Sequence, residues 1–192
     1  QLAGQTVVLI GGSSGIGLET ARLARTEGAD AIITGRDPDR LGAAAREVGA
    51  ARAAAFDATD AAALRRFFQD LPGPIDHVLV TAGGPRYGPL LEMDAAAVKE
   101  ALSDHIVLAL EVARNAVGRM RAGGTLLFMG GTGGRRVGHG LGIVSAATAA
   151  MPPFTAALAL EVAPVRVNLI AAGFVDTCLL YTSDAADDLT RV

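Results

Sequence analysis

A chain of 192 residues that is 51% hydrophobic but only 4% aromatic is long enough for one domain, with a core built of Ala, Val, Leu and Ile. A net charge of −3 gives no electrostatic case for nucleic acid, and no uncharged apolar run of about 20 residues stands out, so no membrane span is expected. The sole cysteine, Cys178, excludes an internal disulfide and no basic leader precedes the first strand, so the expected location is cytoplasmic.

Strand and helix patterns alternate along the chain. Val7, Val8, Leu9 and Ile10 run straight into Gly11, as in a strand at 6–10 buried on both faces. The string Gly11-Gly12-Ser13-Ser14-Gly15-Ile16-Gly17 then turns the backbone and opens a helix over 15–27, closed by Gly28. A second strand at 31–34 ends at Gly35-Arg36-Asp37-Pro38, where Asp37 is the predicted N-cap and Pro38 the first-turn residue of a helix reaching Val48. A third strand at 52–56 ends at Asp57-Ala58, and Thr59 or Asp60 caps a helix reaching Leu71. The fourth strand, 75–80, enters Thr81-Ala82-Gly83-Gly84 and a looser segment containing Tyr87. A long helix over 94–121, broken near Ser103, leads to a fifth strand at 125–129 and the glycine-rich stretch 130–134. Pro152 and Pro153 must kink or divide a helix over 141–162, and a sixth strand covers 166–170. This order predicts an α/β Rossmann fold: a doubly wound parallel sheet, strand order 3-2-1-4-5-6, with the ligand across the strand C-termini.

A strand, a glycine turn and a helix N-terminus suit a pyrophosphate, which takes the free N–H groups and the positive dipole end. Gly11, Gly15 and Gly17 match the T-G-x-x-x-G-x-G loop of the short-chain dehydrogenase/reductase family, with Ile10 in place of the threonine, and the resemblance extends nearly to Thr177. It implies an oxidoreductase of carbonyl or alcohol substrates whose nicotinamide cofactor lies on Gly11, Ser13, Ser14, Gly15, Ile16 and Gly17. Asp57 with Ala58 resembles the family's adenine-contacting acid. Val80-Thr81-Ala82-Gly83 stands where the family has N-N-A-G, so Ala82 and Gly83 keep the close approach to the ribose while both bracing asparagines are lost. Gly173, Val175 and Thr177 lie in a segment similar to the P-G-x-x-x-T that holds the nicotinamide amide.

Cofactor choice turns on the end of the second strand. NAD-binding folds place an acid there for the ribose 2′-OH. Here Gly35 occupies the place and Arg36 follows, and an arginine pairs with the 2′-phosphate of NADP. The expectation is NADP; the alternative is an Arg36 that is solvated or paired with Asp37 or Asp39.

By the same resemblance, the family's tyrosine, lysine, serine and asparagine fall on Val144, Thr148, Gly131 and His105. Lys99 is the only lysine, so no Tyr-x-x-x-Lys exists, and the only tyrosines are Tyr87 and Tyr181. No catalytic residue is therefore assigned. Loss of a general acid costs on the order of 10²–10⁴ in rate, and of an oxyanion donor about 10²–10³. His105 or Tyr87 is a candidate for a rearranged acid, and His139, Arg135 and Arg136 for holding an anionic substrate; the competing roles are helix packing, loop anchoring and solvation. Two readings follow: an NADP-dependent oxidoreductase with a rearranged acid, or a dinucleotide-binding sensor, regulator or oligomer partner without turnover.

The near-absence of lysine beside so much arginine, alanine and glycine is a usage expected of GC-rich bacterial coding. The helix over 146–162 is apolar on nearly every face, more than one sheet contact needs; because members of the family it resembles pair through this helix and the long one before it, the resemblance implies a homodimer or homotetramer, the alternative being a centrally buried helix. After Thr177 the character changes. The string CLLYTSDAADD at 178–188 is similar to a translated sequencing-library adapter. The expected organisation is thus a cofactor-binding domain over 1–177 and a foreign tail over 178–192, with the family's seventh strand missing. The natural gene is expected to continue with different residues.

Overall fold

The computed structural model describes residues 1–173 and Val175. Six strands, β1 (Thr6–Ile10), β2 (Asp30–Gly35), β3 (Arg52–Ala55), β4 (Ile75–Val80), β5 (Met120–Gly131) and β6 (Arg166–Ala172), form one sheet in the order β3-β2-β1-β4-β5-β6. Every pairing is parallel. This is the predicted order.

The period-2 alternation of β1 divides the core. Val8 and Ile10 face a cluster with Leu64, Phe68, Val112 and Met151, while Val7 and Leu9 face one with Ala21, Ala24, Leu41 and Ala44. Helices α1 (Gly15–Thr26) and α2 (Pro38–Val48) therefore cover one face. Helix α3 (Ala61–Gln69) and the later helices α5 (Leu108–Ala116) and α6 (Gly142–Glu161) cover the other. Each fully buried Leu or Phe here contributes about 1.5–3 kcal/mol relative to exposure.

The predicted caps form. Asp37 accepts from the N–H groups of Asp39 and Arg40, and of the two candidates for the next helix it is Asp60 that accepts from Ala62 and Ala63. Two elements differ from expectation. The long helix is interrupted at Ser103, as expected, and consists of α4 (Ala95–Leu102), a π-helical segment Ser103–Val107, α5 and a 3-10 turn Val117–Arg119, but it ends before 121. Strand β5 then starts at Met120, not Thr125, because Met120 pairs with Ile75 ahead of a register shift. A Cβ on Gly124 would stand 2.7 Å from the Asp76 carbonyl, so the shift needs a glycine there. Of the two outcomes expected at Pro152 and Pro153, division does not occur: α6 runs through both as one helix. Both prolines are exposed, and of the residues whose carbonyls they leave without an intrahelical donor Ala149 is exposed while Thr148 is buried.

Helix α6 also corrects the expectation about apolar runs. Over an 18-residue window its mean hydropathy is 1.6, long and apolar enough to cross a membrane by length and composition. Its Met151 and Leu158 are core residues, and the helix packs on β6 as a layer of the sheet.

Candidate functional site

The β1–α1 junction is built around absent side chains. Gly11 has φ +103°, and a Cβ there would lie 2.6 Å from the Ala82 nitrogen. A Cβ on Gly17 would lie 2.2 Å from the Gly11 carbonyl oxygen. Gly15, at φ +54°, opens α1. Ser14 is the N-cap residue but its side chain makes no capping bond, and the first turn holds no acid. The N–H groups of Gly15, Ile16 and Gly17 thus lack the usual intrahelical partners and any side-chain cap. An uncapped, acid-free helix end beneath a glycine turn fits a diphosphate.

Hydroxyls hold this turn. Thr34 Oγ1 accepts from Gly11 N–H (3.2 Å) and donates to the Leu9 carbonyl (3.3 Å), while Gly12 N–H donates to the Thr34 carbonyl (2.8 Å). Thr81 Oγ1 donates to the Gly11 carbonyl (2.9 Å), and the N–H groups of Thr81 and Ala82 both donate to the Ile10 carbonyl (2.8 Å each). Thr81 therefore supplies bracing that the missing asparagines left open. The Ala82 N–H is committed to β1, and Gly83 follows it. That glycine has φ +92°, and its Cβ would lie 2.8 Å from the Asp104 carbonyl.

The sheet order lines up the remaining predicted residues at adjacent strand ends. Ser13 is buried, and a Cβ on Gly35 would stand 2.7 Å from its Oγ. Arg36 is exposed and forms no ion pair among the described residues; Asp37 is occupied as a cap. Asp57 Oδ1 accepts from the Thr59 N–H (2.9 Å) and hydroxyl (2.8 Å). The Thr59 N–H first, then its hydroxyl and the Arg36 charge, hold this carboxyl below the usual aspartate range against a burial effect of opposite sign. Ala58 is a core residue. Among the described residues nothing lies within 4 Å of a Cβ placed on Gly173, Val175 is exposed, and Thr177 lies outside the described residues, as do 178–192.

The four positions set against the family's catalytic groups come from β5, the π-helical segment and α6. A Cβ on Gly131 would lie 3.3 Å from Thr148 Cγ2. Thr148 is buried and its hydroxyl donates to the Val144 carbonyl (2.8 Å) in its own helix, so it projects no polar group forward. The Ser145 hydroxyl is buried without a hydrogen-bond partner among the described residues. His105 sits on the π-helical segment, which packs against α6, with Nδ1 3.0 Å from the Ala101 carbonyl. That bond leaves Nε2 as the ring's other polar atom. Beside it, burial and then Glu100 raise the Asp104 carboxyl above the ordinary range, with Arg86 and His105 opposing. Tyr87 is half-buried, and burial pushes its phenol up, the wrong direction for an activated acid. Its loop is tied to the loop before α6 by Gly88 N–H donating to the Gly140 carbonyl (2.9 Å), and Arg135, Arg136 and His139 on that second loop are exposed. Sequence reasoning missed Ser13 against Gly35, and the Thr34 and Thr81 hydroxyls. The available signal was a small hydroxyl residue at the end of each strand flanking the glycine turn.

The sequence matches the short chain dehydrogenase family over residues 5–188. It is 30% identical over 189 residues to short-chain dehydrogenase/reductase ATR9 of Stachybotrys chlorohalonatus, covering 90% of this chain and 74% of that protein. It is 29% identical to carbonyl reductase family member 4 of Xenopus tropicalis, covering 96% and 80%. Among solved structures it is similar to BdcA in complex with NADPH, with a TM-score of 0.86, 27% identity, and coverage of 97% of this chain and 78% of that one. With the glycine cradle, the strand order and these matches in agreement, the chain belongs to the short-chain dehydrogenase/reductase family of Rossmann-fold oxidoreductases.

Proposed function

We propose that this chain binds NADP(H) and acts on a small carbonyl or alcohol substrate without the family's tyrosine–lysine pair. The observation that carries the cofactor choice is the Ser13–Gly35 contact. The Ser13 hydroxyl fills the space that an acid at position 35 would enter, and Arg36 follows without an ion-pair partner among the described residues. A carboxylate would repel a 2′-phosphate; a guanidinium pairs with it. The NADPH complex of BdcA supports the same choice. In this reading Gly11, Ser13, Ser14, Gly15, Ile16 and Gly17 hold the diphosphate, Arg36 the 2′-phosphate, Asp57 and Ala58 the adenine end, Ala82 and Gly83 the ribose, and Gly173, Val175 and Thr177 the nicotinamide end.

When bound, the nicotinamide supplies a hydride, and the chain must supply the proton. His105 is favoured over Tyr87, because its segment lies between Gly83 and α6 and its Nε2 is not engaged by the Ala101 bond. The test is NADPH binding by fluorescence, followed by NADPH oxidation across a panel of carbonyls at saturating cofactor. We expect tight binding, slow turnover, and a further drop of about 10²-fold in Kcat-limited rate for His105→Gln. Binding with no oxidation on any carbonyl supports the second reading, a non-catalytic sensor or regulatory partner, favoured by Val144, Thr148 and Gly131 at the family's catalytic positions. Failure to bind NADPH rejects both.

The partner side of the proposal is a homodimer or homotetramer through α5 and α6. A groove of about 340 Å³ between them is lined by Leu110, Ala113, Val117, Leu158 and Val162. Leu160, on the same helix as Leu158, is 85% exposed. Leu110→Glu is expected to convert the assembly to monomers by light scattering after size-exclusion chromatography, because it places a charge where apolar surface would be desolvated. A monomeric wild-type protein sinks the idea.

A further inference from the structure

We propose a second ligand site, for a phosphate or phosphate monoester, at the end of the sheet opposite the nucleotide cradle. There a hollow of about 220 Å³ lies at the N-terminal ends of the central strands, lined by Gln5, Asp76, His77, Arg121 and Arg166 with the backbone of 122–124. Four separate stretches of chain converge on it.

Its cationic groups are held in place by neighbours rather than left to swing. Arg166 donates through Nε to the Gly123 carbonyl (3.2 Å) and through a terminal nitrogen to Thr125 Oγ1 (2.7 Å). Arg121 Nε lies 3.1 Å from Asp76 Oδ1. The other oxygen of that carboxylate accepts from the Thr6 N–H (2.8 Å), so both oxygens are engaged. The hydrogen bonds named use two of the five N–H donors of Arg166, Arg121 meets Asp76 as an ion pair, and both guanidiniums are forks of the shape that pairs with oxyanions. His77 Nε2 lies 2.6 Å from Gln5 Oε1, which makes Nε2 the protonated nitrogen and leaves Nδ1 able to take a proton.

The charge balance points to an anion. Two guanidiniums face one carboxylate, a local excess of +1, in a chain whose net charge is −3. Burial lowers the His77 pKa, Asp76 raises it, and Arg166 lowers it further. The charged groups facing His77 are thus Asp76 and Arg166, with Arg121 lining the same hollow. An anion on the two arginines offsets the Arg166 charge and acts in the same sense as Asp76, so phosphate binding and His77 protonation must favour one another reciprocally. The volume admits a phosphate with the first atoms of an ester, and the site is independent of which nicotinamide cofactor the cradle holds.

The chain has only three histidines, His77, His105 and His139, so a histidine-labelled sample gives three resolvable ring signals, assigned with His77→Gln. Sodium phosphate and glycerol phosphate are titrated separately at saturating NADPH, with sodium chloride at matched ionic strength as the control. The expected result is a saturable shift of His77 toward its protonated form with phosphate and none with chloride. A matching shift with glycerol phosphate assigns the site to esters; none assigns it to the free ion. Arg121→Gln and Arg166→Gln each weaken the phosphate affinity about tenfold or more, and Arg65→Gln, exposed on α3, leaves it unchanged. NADPH affinity stays the same in all three, which separates this result from a failure of the cradle. An unmoved His77, the same shift in chloride, or wild-type phosphate affinity in either arginine variant overturns the proposal.

Discussion

Gly17→Ala is expected to weaken NADPH binding at least about 100-fold, a loss of about 2.8 kcal/mol. The added Cβ would sit 2.2 Å from the Gly11 carbonyl oxygen and 2.7 Å from Thr81 Oγ1. Neither neighbour is the loose end of a long side chain. The Gly11 carbonyl already accepts from Thr81, and Thr81 is tied to Ile10 of β1. The first turn of α1 must therefore move back, and its N–H groups move away from the diphosphate with it. Gly42→Ala in α2 is the control. There the nearest atom to a new Cβ is the end of the flexible Arg46 side chain, at 3.6 Å, so alanine stabilises the helix by about 0.5–1 kcal/mol. Fluorescence titration with NADPH and a thermal melt on the three proteins make the comparison. A Gly17→Ala protein that keeps its affinity within a few-fold would falsify the cradle assignment.

Arg36→Ala is expected to weaken NADPH about 10- to 100-fold, as loss of one charge-assisted phosphate contact does, while NADH affinity changes less than twofold. Arg36 is exposed, so its pairing is screened by salt. Raising the ionic strength should weaken NADPH binding to the wild type more than to Arg36→Ala. In the proposed reading the residue before it contributes as well as Arg36. An acid at Gly35 would bring its Cβ within 2.7 Å of Ser13 Oγ and 2.9 Å of Ser13 Cβ, so the NAD-type carboxylate has no room unless Ser13 shrinks. Equal losses for the two cofactors would show that Arg36 contributes general electrostatics and not recognition of the 2′-phosphate.

Much of the cradle was legible in the chain because its signals are local. Four apolar residues running into Gly11, the glycines at 15 and 17, and the capping aspartates at 37 and 60 each act on near neighbours, and the strand order follows from the βαβ alternation and its handedness. The absence of any Tyr-x-x-x-Lys was likewise readable from the residue inventory alone. The π-helical turn at Ser103–Val107 was not, because it sets the Asp104 carbonyl against Gly83, a neighbour supplied by the sheet. The early start of β5 depends on Ile75 pairing with Met120, and the continuity of α6 on its prolines falling where solvent reaches them. The Thr81 brace, the Ser13–Gly35 contact and the convergence of His77, Arg121 and Arg166 also join residues far apart in sequence. Composition and periodicity determine which segments become strands and helices and where glycine is indispensable. Which side chains meet, and what charge they present together, is decided only when the sheet sets its strands side by side.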